Sequence, residues 1–473
     1  MAELKKSLGG VQFFSIGFGG IVGVGWIVYM GLWFGQAGPV GTVLAFLIGG
    51  LLMSLVALCY AEVGSMYPVA GGEAVYAYRA FGQLASFVVG WALVLMMTAV
   101  VPYVSISLAW ILDVLIPGIS GPVLYSWRGQ DIHTLSLVIA VGWTFWLGII
   151  NYRGVQSAAR FQDWLTYGKL VISALFIGAG VFGGSTVNLE PMFQASPDGS
   201  IWPGLLAVIA TTPWFFGGFN EIPQVLEERS ATTSSRTLGL IVVAAVLAAA
   251  VYYALAALSA GMVGPWQDII KAELPVAVAF RTAFGSELFA RLVLVAGLFG
   301  IITVGNSAMM ASTRLLFAMS RARMIAPAFT RLHPVTAAPV TAIVFVIGFG
   351  VFGNFLGKAG IAPIVNVGST AACLGYFFTS LSVWRLRGLE PDRPRPYRLP
   401  AGVAVSFLGA AGSIFLLGSS LRQHWLDAKG SFPLEWLVII GWNLIGLAMW
   451  IGARSARANL AAGEQERLIV GEH

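Results

Sequence analysis

Runs of about 20 apolar residues, each long enough to cross a hydrocarbon core of about 30 Å as a helix, recur about twelve times along this chain. They lie near 11–37, 40–66, 84–115, 134–151, 161–183, 203–226, 236–263, 288–320, 338–357, 362–384, 401–421 and 433–453. A backbone in hydrocarbon must satisfy its own N–H and C=O groups, which leaves helices or a closed barrel. Barrel strands would read as segments of about ten residues with apolar and polar residues alternating, and these runs are too long and too uniformly apolar for that. The prediction is an all-α integral membrane protein with twelve transmembrane helices. A composition of 58% hydrophobic and 10% charged residues excludes a water-soluble domain of ordinary make-up.

Lys5 and Lys6 precede the first run directly, with no short apolar core ending in a small-residue cleavage site. The first helix is therefore expected to act as the insertion signal. Alternating the loops between two sides puts about 19 Lys and Arg residues with the N-terminus and about 7 opposite. That bias predicts both termini in the cytoplasm, for a chain expected in the plasma (inner) membrane. The formal charge of +6 is then scattered over loops rather than gathered on one face, so no nucleic acid is expected as a partner. Cys59 and Cys373 fall inside spans with no neighbour at metal spacing and read as small packing residues; the histidines at 133, 333, 424 and 473 lie far apart. No metal or other cofactor is expected. Trp33, Tyr103 and Trp442, near span ends, are expected as interface anchors.

Two of the runs are broken by glycine. Gly20-Ile-Val-Gly23-Val-Gly25 sits in the first and Phe215-Phe-Gly-Gly-Phe-Asn-Glu-Ile-Pro223 in the sixth, five spans apart. Unwound backbone at membrane depth is tolerated only where it faces a cavity or other protein, so paired breaks in two halves predict a small-molecule site at the midplane. Helices one to five, about 11–183, and six to ten, about 203–384, form the halves. An odd number of crossings ends on the other side, so this 5+5 repeat must be inverted; helices eleven and twelve, about 401–453, follow outside it. The whole chain, 1–473, is one domain. The stretch from Arg385 to Pro400, with five arginines and four prolines, is expected as a loop held near anionic headgroups.

Five local patterns follow one another over most of the chain. They are Gly19-Gly-Ile-Val-Gly-Val-Gly25; Ala61-Glu-Val-Gly-Ser-Met-Tyr-Pro-Val-Ala-Gly-Gly72 with Tyr76, Tyr78 and Phe81-Gly82; Asn151-Tyr-Arg-Gly-Val155 with Lys169; Gly218-Phe-Asn-Glu-Ile-Pro-Gln ending in Glu227-Glu228; and Ser312-Thr-Arg-Leu-Leu-Phe-Ala-Met-Ser-Arg321 with Pro327. In that order they resemble the amino acid, polyamine and organocation superfamily of secondary transporters. The resemblance implies an amino acid permease with the leucine-transporter-type inverted repeat, moving a small amino acid by alternating access, and not an enzyme. Two positions depart from it: Asn220 stands where many relatives carry an acidic residue, and Pro102 is expected to interrupt span three.

By that resemblance, backbone around Ile21, Val22, Gly23, Val24 and Gly25 would bind a substrate carboxylate, and carbonyls around Phe215, Phe216, Gly217 and Gly218 would take its ammonium. A helix N-terminus, with about half a positive charge and free N–H groups, suits the first task. The glycines at 17, 19, 20, 23 and 25 could instead serve only close helix packing. Phe216 or Phe219 could cover the ligand as a hydrophobic gate, or face lipid or core. Asn220 and Glu221, midway along a span, either line a water-filled pathway or pair with a neighbouring helix. Met97 and Val101 of span three and Asn366 of span ten are expected to face the breaks and set selectivity.

Lys169, about two turns inside span five, could snorkel back to the surface. The resemblance implies instead that its ammonium takes the place of a sodium ion, on span-one carbonyls near Gly20 and a span-eight hydroxyl such as Ser307, and gives up its proton when the site opens to the cytoplasm. The proton is then the coupling ion, with sodium less favoured. Glu62, Glu227 and Glu228 could pair with Arg153, Arg229 or Arg314, as exposed pairs worth about 0–1 kcal/mol each. Glu221 beside the site keeps open a second ammonium, and so an amine or polyamine substrate; exchange without a proton is a further alternative. No channel filter and no nucleophile with its base is legible. The expected partners are a small-molecule amino acid or amine and membrane lipid, with the oligomeric state left open.

Overall fold

The computed structural model describes residues 6–428, 430–461 and 463–470, the side chains of 155–159 excepted; Lys5, Lys429 and His473 lie outside the described residues. Helix α1 (Gly10–Ile21) ends where Val22 turns to φ −84°, ψ 90°. Helix α2 (Gly25–Val28) resumes the span and leads into α3 (Met30–Met66). At Gly38, φ 74°, α3 leaves helical geometry ahead of Pro39, between the two apolar runs expected at 11–37 and 40–66. Only glycine fits there, since a Cβ would also lie 2.8 Å from the backbone of Met192, Phe193 and Gln194.

There follow α4 (Gly72–Phe81), α5 (Gln83–Leu115), a hairpin of β1 (Val123–Trp127) and β2 (Gln130–His133), α6 (Thr134–Tyr152), α7 (Val155–Gly183) and α8 (Trp202–Phe215). The hairpin, which the apolar pattern did not predict, turns at Arg128 and Gly129, both with positive φ, as a two-residue connection requires. Beyond α8 come two 3-10 segments, Phe219–Glu221 and Pro223–Glu228, then α9 (Ser235–Met262), α10 (Trp266–Ile269), α11 (Pro275–Phe284) and α12 (Glu287–Arg321). The rest is α13 (Val340–Asn354), α14 (Ile361–Leu389), α15 (Val403–Asp427), α16 (Leu434–Gly452), α17 (Arg454–Ala458) and α18 (Glu464–Val470).

The architecture is that of an all-helical, multi-pass membrane protein. Among the described residues ten helices are long and apolar enough to cross a membrane. The sixth and ninth expected spans fall short of that length, because α8 stops at its break after 14 residues and α13 has 15. Burial sorts the spans by position. In their most apolar windows 78% of α1–α2 and of α5 is buried, against 28% of α6 and 17% of α16, so the first two run through the core and the last two lie at the rim. Helix α3 packs along α8 and α9, and α5 along α12, α13 and α14.

Two expectations are corrected by this packing. Pro102 does not interrupt span three: α5 is continuous through it, with the ring lodged against Gly353 of α13, where a Cβ would lie 2.7 Å from it. Neighbouring helices can hold a proline-containing span straight in hydrocarbon. Trp33, Tyr103 and Trp442 are not interface anchors; all are at most 3% exposed. Trp33 packs edge-on to Phe46 and Phe215, while Trp442 stacks on Trp91 at 4.5 Å and donates its indole N–H to the Trp91 carbonyl.

The helix ends on the side where residues 7 and 8 lie are closed by ion pairs. Arg314 of α12 donates to Glu228 at 2.8 Å, both side chains being at most 2% exposed. Arg321 grips Glu227 through two bonds of 2.9 and 3.0 Å. Arg387 does the same to the fully buried Glu62, which also accepts from the Leu399 N–H. Arg229 instead donates to Ser235. Of the five arginines between 385 and 400, Arg387, Arg393 and Arg395 thus meet protein carboxylates, while Arg385 and Arg398 are exposed: Arg395 lies 3.3 Å from Glu62, and Glu390 is shared by Arg79, Arg393 and the Tyr67 hydroxyl. Burial raises the Glu390 carboxyl, but the bonds from Tyr67 and Arg79 outweigh it and hold the group below the usual range. The chain start is tied in as well, with the Ser7 and Leu8 N–H groups on the Glu228 carbonyl.

Buried pairs behave unlike the exposed ones first expected. Arg314→Ala strands Glu228 without a partner, and we expect a loss of about 3–5 kcal/mol, read as a lower unfolding midpoint in detergent.

Candidate functional site

The two broken spans lean on each other. The N–H groups of Val24, Gly25 and Trp26, at the restart of span one, donate to no protein acceptor among the described residues. In span six the chain turns at Gly218, φ 132°, where a Cβ would fall 2.4 Å from the Gly20 carbonyl carbon and the Ile21 nitrogen. Asn220 Oδ1 accepts the Gly218 N–H at 3.0 Å, a side-chain substitute for the helix bond lost there. The Tyr253 hydroxyl donates to the Ile21 carbonyl at 2.9 Å and the Tyr376 hydroxyl to the Pro213 carbonyl at 3.2 Å.

Between the breaks lies a cavity. Span one gives it Gly20, Ile21, Gly23, Val24 and Gly25; span six gives Trp214, Phe215, Gly217 and Glu221. Met96, Val100 and Tyr103 of α5, Tyr253 of α9 and Val304 of α12 complete the wall. In this closed arrangement it holds about one or two waters, so a ligand needs the aromatic wall to give way. That wall is Phe215, packed on Trp33 at 4.7 Å and Tyr29 at 5.0 Å. Glu221 is 2% exposed, and its Oε2, set over Gly20, has no hydrogen-bond partner among the described residues.

Lys169 of α7 is fully buried beside this cavity. Its ammonium donates to the Val22 carbonyl, to Thr303 Oγ1 at 3.0 Å and to the Gly19 carbonyl at 3.4 Å. A lysine so held has not snorkelled. Two turns earlier on the same helix, Gln162 donates to the carbonyls of Ser15 and Thr303 and to Ser307 Oγ, and accepts from Asn306. Ser307 itself donates to the Ile16 carbonyl at 3.0 Å. The carbonyls freed at the break of span one are therefore answered by Lys169 of α7 and Tyr253 of α9.

Several expected contacts move by about one helical step. The hydroxyl at Lys169 is Thr303, not Ser307, while the carbonyls are, as expected, span-one groups near Gly20, those of Gly19 and Val22. Met97 and Val101 do not line the cavity: Met96, Val100 and Tyr103 do, and Val101 packs on Gly350 of α13. One residue turns a helical side chain by about 100°, and a uniformly apolar span gives no phase from which to choose the face. Phe216 packs on Phe46 and Tyr253, and Phe219 stacks on Tyr376 at 5.3 Å, so Phe215 rather than either of them walls the cavity. Asn220 braces the break, and its amide faces Met96 Sδ at 3.6 Å. Asn366 lies away from the breaks, donating to Asp427 and Glu435 at 2.9 and 3.0 Å. The packing reading of the glycines also holds. A Cβ at Gly17, Gly19, Gly20, Gly23 or Gly25 would meet a neighbouring side chain at 2.2–2.8 Å.

Below span six a second polar cluster stands under the break. Glu73 of α4 is fully buried, accepts from the Tyr60 hydroxyl at 2.7 Å and from Gln224, and has no ion-pair partner among the described residues. Burial pushes its carboxyl up to about 7, against the bonds from its own backbone, Tyr60 and Gln224 that pull it down.

Comparison with known proteins fixes the class. The Amino acid permease family profile matches residues 8–447, and the chain belongs to that family. Similar curated proteins, all from Bacillus subtilis (strain 168), include the branched-chain amino acid permease BcaP, 25% identical over 95% of this chain and 93% of its own length. A methylthioribose transporter is 26% identical over 90% of each chain, and the glutamate/serine transporter AimA 25% identical over 93% of this chain and 81% of its own. The family and these relatives are transporters rather than enzymes.

Two outcomes follow from the geometry. Gly218→Ala forces a side chain into the Gly20 backbone at a φ that disfavours it, and uptake of any substrate should fall to background while the protein still reaches the membrane. Glu73, raised in the folded state, is protonated in both states below about pH 4.5; the unfolded chain ionises first as pH rises, so folded stability declines until about pH 7 and is flat above. Melting in detergent between pH 5 and 8 should show that slope in the wild type and its loss in Glu73→Gln.

Proposed function

We propose that this permease imports a small neutral amino acid together with a proton. The observation that carries the reading is the Lys169 ammonium, which holds the Gly19 and Val22 carbonyls and Thr303 at the edge of the cavity between the breaks. In this reading the substrate carboxylate takes the free N–H groups of Val24, Gly25 and Trp26. Its ammonium takes carbonyls at the end of α8, with Glu221 alongside. Met96, Val100 and Val304 leave apolar room for a small side chain.

Protonated Lys169 ties span one to α7 and α12 and fills the place a sodium ion would need. Its deprotonation on opening to the cytoplasm frees the Val22 carbonyl, loosens span one and lets substrate and proton leave on the same side. The accompanying architecture is twelve helices in a five-plus-five inverted repeat, with both termini cytoplasmic in the plasma membrane, as the charge bias supports. The relatives named for branched-chain amino acids and for glutamate and serine support an amino acid as cargo. One observation favours a second reading. The unpartnered Glu221 Oε2 could take a second ammonium, which would suit an amine.

The test is uptake of labelled alanine into proteoliposomes with and without an inward proton gradient. Accumulation against a concentration gradient is expected for the wild type and its loss, at least tenfold, for Lys169→Met, with counterflow preserved. Uptake indifferent to the gradient and dependent on internal substrate would make the protein an exchanger. Putrescine uptake without alanine uptake would move the amine reading to first place.

A further inference from the structure

Glu73, the buried carboxyl under span six, has no part in the transport cycle proposed above. Gly71 and Gly72, with φ of 104° and 38°, turn the chain into α4 so tightly that a Cβ at Gly72 would lie 2.8 Å from both Gln224 Nε2 and Pro223 Cβ. That turn seats Glu73, in the first turn of α4, against the 3-10 segment Pro223–Glu228 that follows the break. An acid at such a position usually faces water, where the helix N-terminus favours its charge. Here it is fully buried, with one oxygen accepting from the Tyr60 hydroxyl of α3 at 2.7 Å and the other from Gln224. Asn220, which braces the break, faces it as well.

No cation answers this carboxyl among the described residues. The titratable groups that sense it are Tyr60 of α3, Tyr76 of α4 itself and Tyr376 of α14, and tyrosines stay neutral below about pH 10. The charges on elements packed against α4 are engaged elsewhere: Arg314 and Arg321 of α12 on Glu228 and Glu227, Arg387 of α14 on Glu62, and Arg79 on Glu390 and on Glu466 of α18. Helix α5 carries its one charged residue, Asp113, at its far end. A carboxylate with hydrogen bonds but no counter-charge gains from any movement that lets water reach it. The neutral acid suits the packed arrangement instead. Gln224 Oε1 is buried with no hydrogen-bond partner among the described residues, and half a turn of that amide sets the oxygen toward Glu73, where a carboxylic acid proton supplies the missing donor.

We infer that Glu73 and Gln224 form a proton-binding latch under span six: neutral Glu73 keeps α4 closed on Pro223–Glu228, and loss of its proton releases that segment. The inference rests on the alternating access proposed above and adds a proton site separate from Lys169. The far end of the segment is Glu227, which accepts the Ala70 N–H at 3.1 Å, and Glu228, so the latch stands between the break and the ion pairs, on the side proposed as cytoplasmic. Burial holds the carboxyl at about 7 while the latch is shut, and water returns it toward its ordinary value near 4.3. Both arrangements are neutral below that lower value; release is favoured increasingly up to about pH 7 and is constant above. An acid cell interior therefore keeps the latch shut and slows discharge of substrate.

The test is backbone hydrogen exchange of residues 219–228 in the purified full chain in nanodiscs, read by mass spectrometry between about pH 5 and 8. Wild type and Glu73→Gln, which keeps the shape and cannot ionise, are compared at each pH so that the intrinsic pH dependence of exchange cancels. The ratio of wild-type to variant exchange should grow at least about tenfold between about pH 5 and 7 and level off above. Tyr60→Phe removes a donor to the carboxylate and should move the levelling point up by about half to one pH unit, which keeps the latch open to test should Glu73→Gln not fold. Equilibrium exchange of labelled alanine in proteoliposomes, with equal pH on both sides, should rise with pH in the wild type and stay at its acid rate in Glu73→Gln. A hydrogen-exchange ratio of one at every pH, or a levelling point that Tyr60→Phe leaves in place, overturns the latch, and alanine exchange by the wild type then leaves the transport reading standing. The expected hydrogen exchange with no movement of alanine supports the latch and overturns the alanine reading alone.

Discussion

Backbone polar groups stripped of their helix partners inside hydrocarbon are the constraint on which the rest of this protein depends. Each would cost several kcal/mol if left bare, and the chain leaves two stretches of them at its centre. The solution is mutual. Gly218 presses on Gly20, Tyr253 answers Ile21, Lys169 answers Gly19 and Val22, and Asn220 answers Gly218. The amides of Val24, Gly25 and Trp26 are left without a protein acceptor among the described residues, and Val24 and Gly25 line the cavity.

The cost of that arrangement appears in the surroundings. Buried polar side chains such as Gln162, Asn306, Ser307 and Asn151 gather where α7, α12 and α6 meet span one, and most of their bonds run to backbone or to one another. On the side of the bundle that holds residues 7 and 8, Glu62, Glu227, Glu228 and Glu390 are each held by arginine, so the helix ends there are joined by charge. Charge-assisted bonds of this kind can break and re-form without repacking a core, which suits a part that must open and shut.

Much of this was legible in the sequence, and the reason is physical. Span positions follow from apolar length, and the breaks follow from glycine and proline, both properties of local composition. Lys169 stood out because a charge inside a span is expensive. What was hidden was rotational phase. Every face of α5 is apolar, so its sequence does not separate Met96 and Val100 from Met97 and Val101, and the distance of Trp33 and Trp442 from a span end says nothing of which way a ring points. Asn366 is polar within a span, as a site residue should be, but its partners Asp427 and Glu435 come from helices eleven and twelve. Pairings of that range have no local signature. The partners of Glu62 were missed for the same reason, Arg387 lying 325 residues away.

The amides and carbonyls at the breaks have one property that side-chain sites lack: a substitution can dislodge them, as at Gly218, but cannot change their chemistry. In the transport reading proposed above, the head group of a ligand is read by atoms every residue carries, whereas its tail meets Met96, Val100 and Val304 of the cavity wall. Recognition and repertoire are therefore separable traits in this fold. Drift at those positions can change what is carried while the machinery that grips and releases it stays intact, so an ancestral transporter of this build could diversify its diet without first losing its grip.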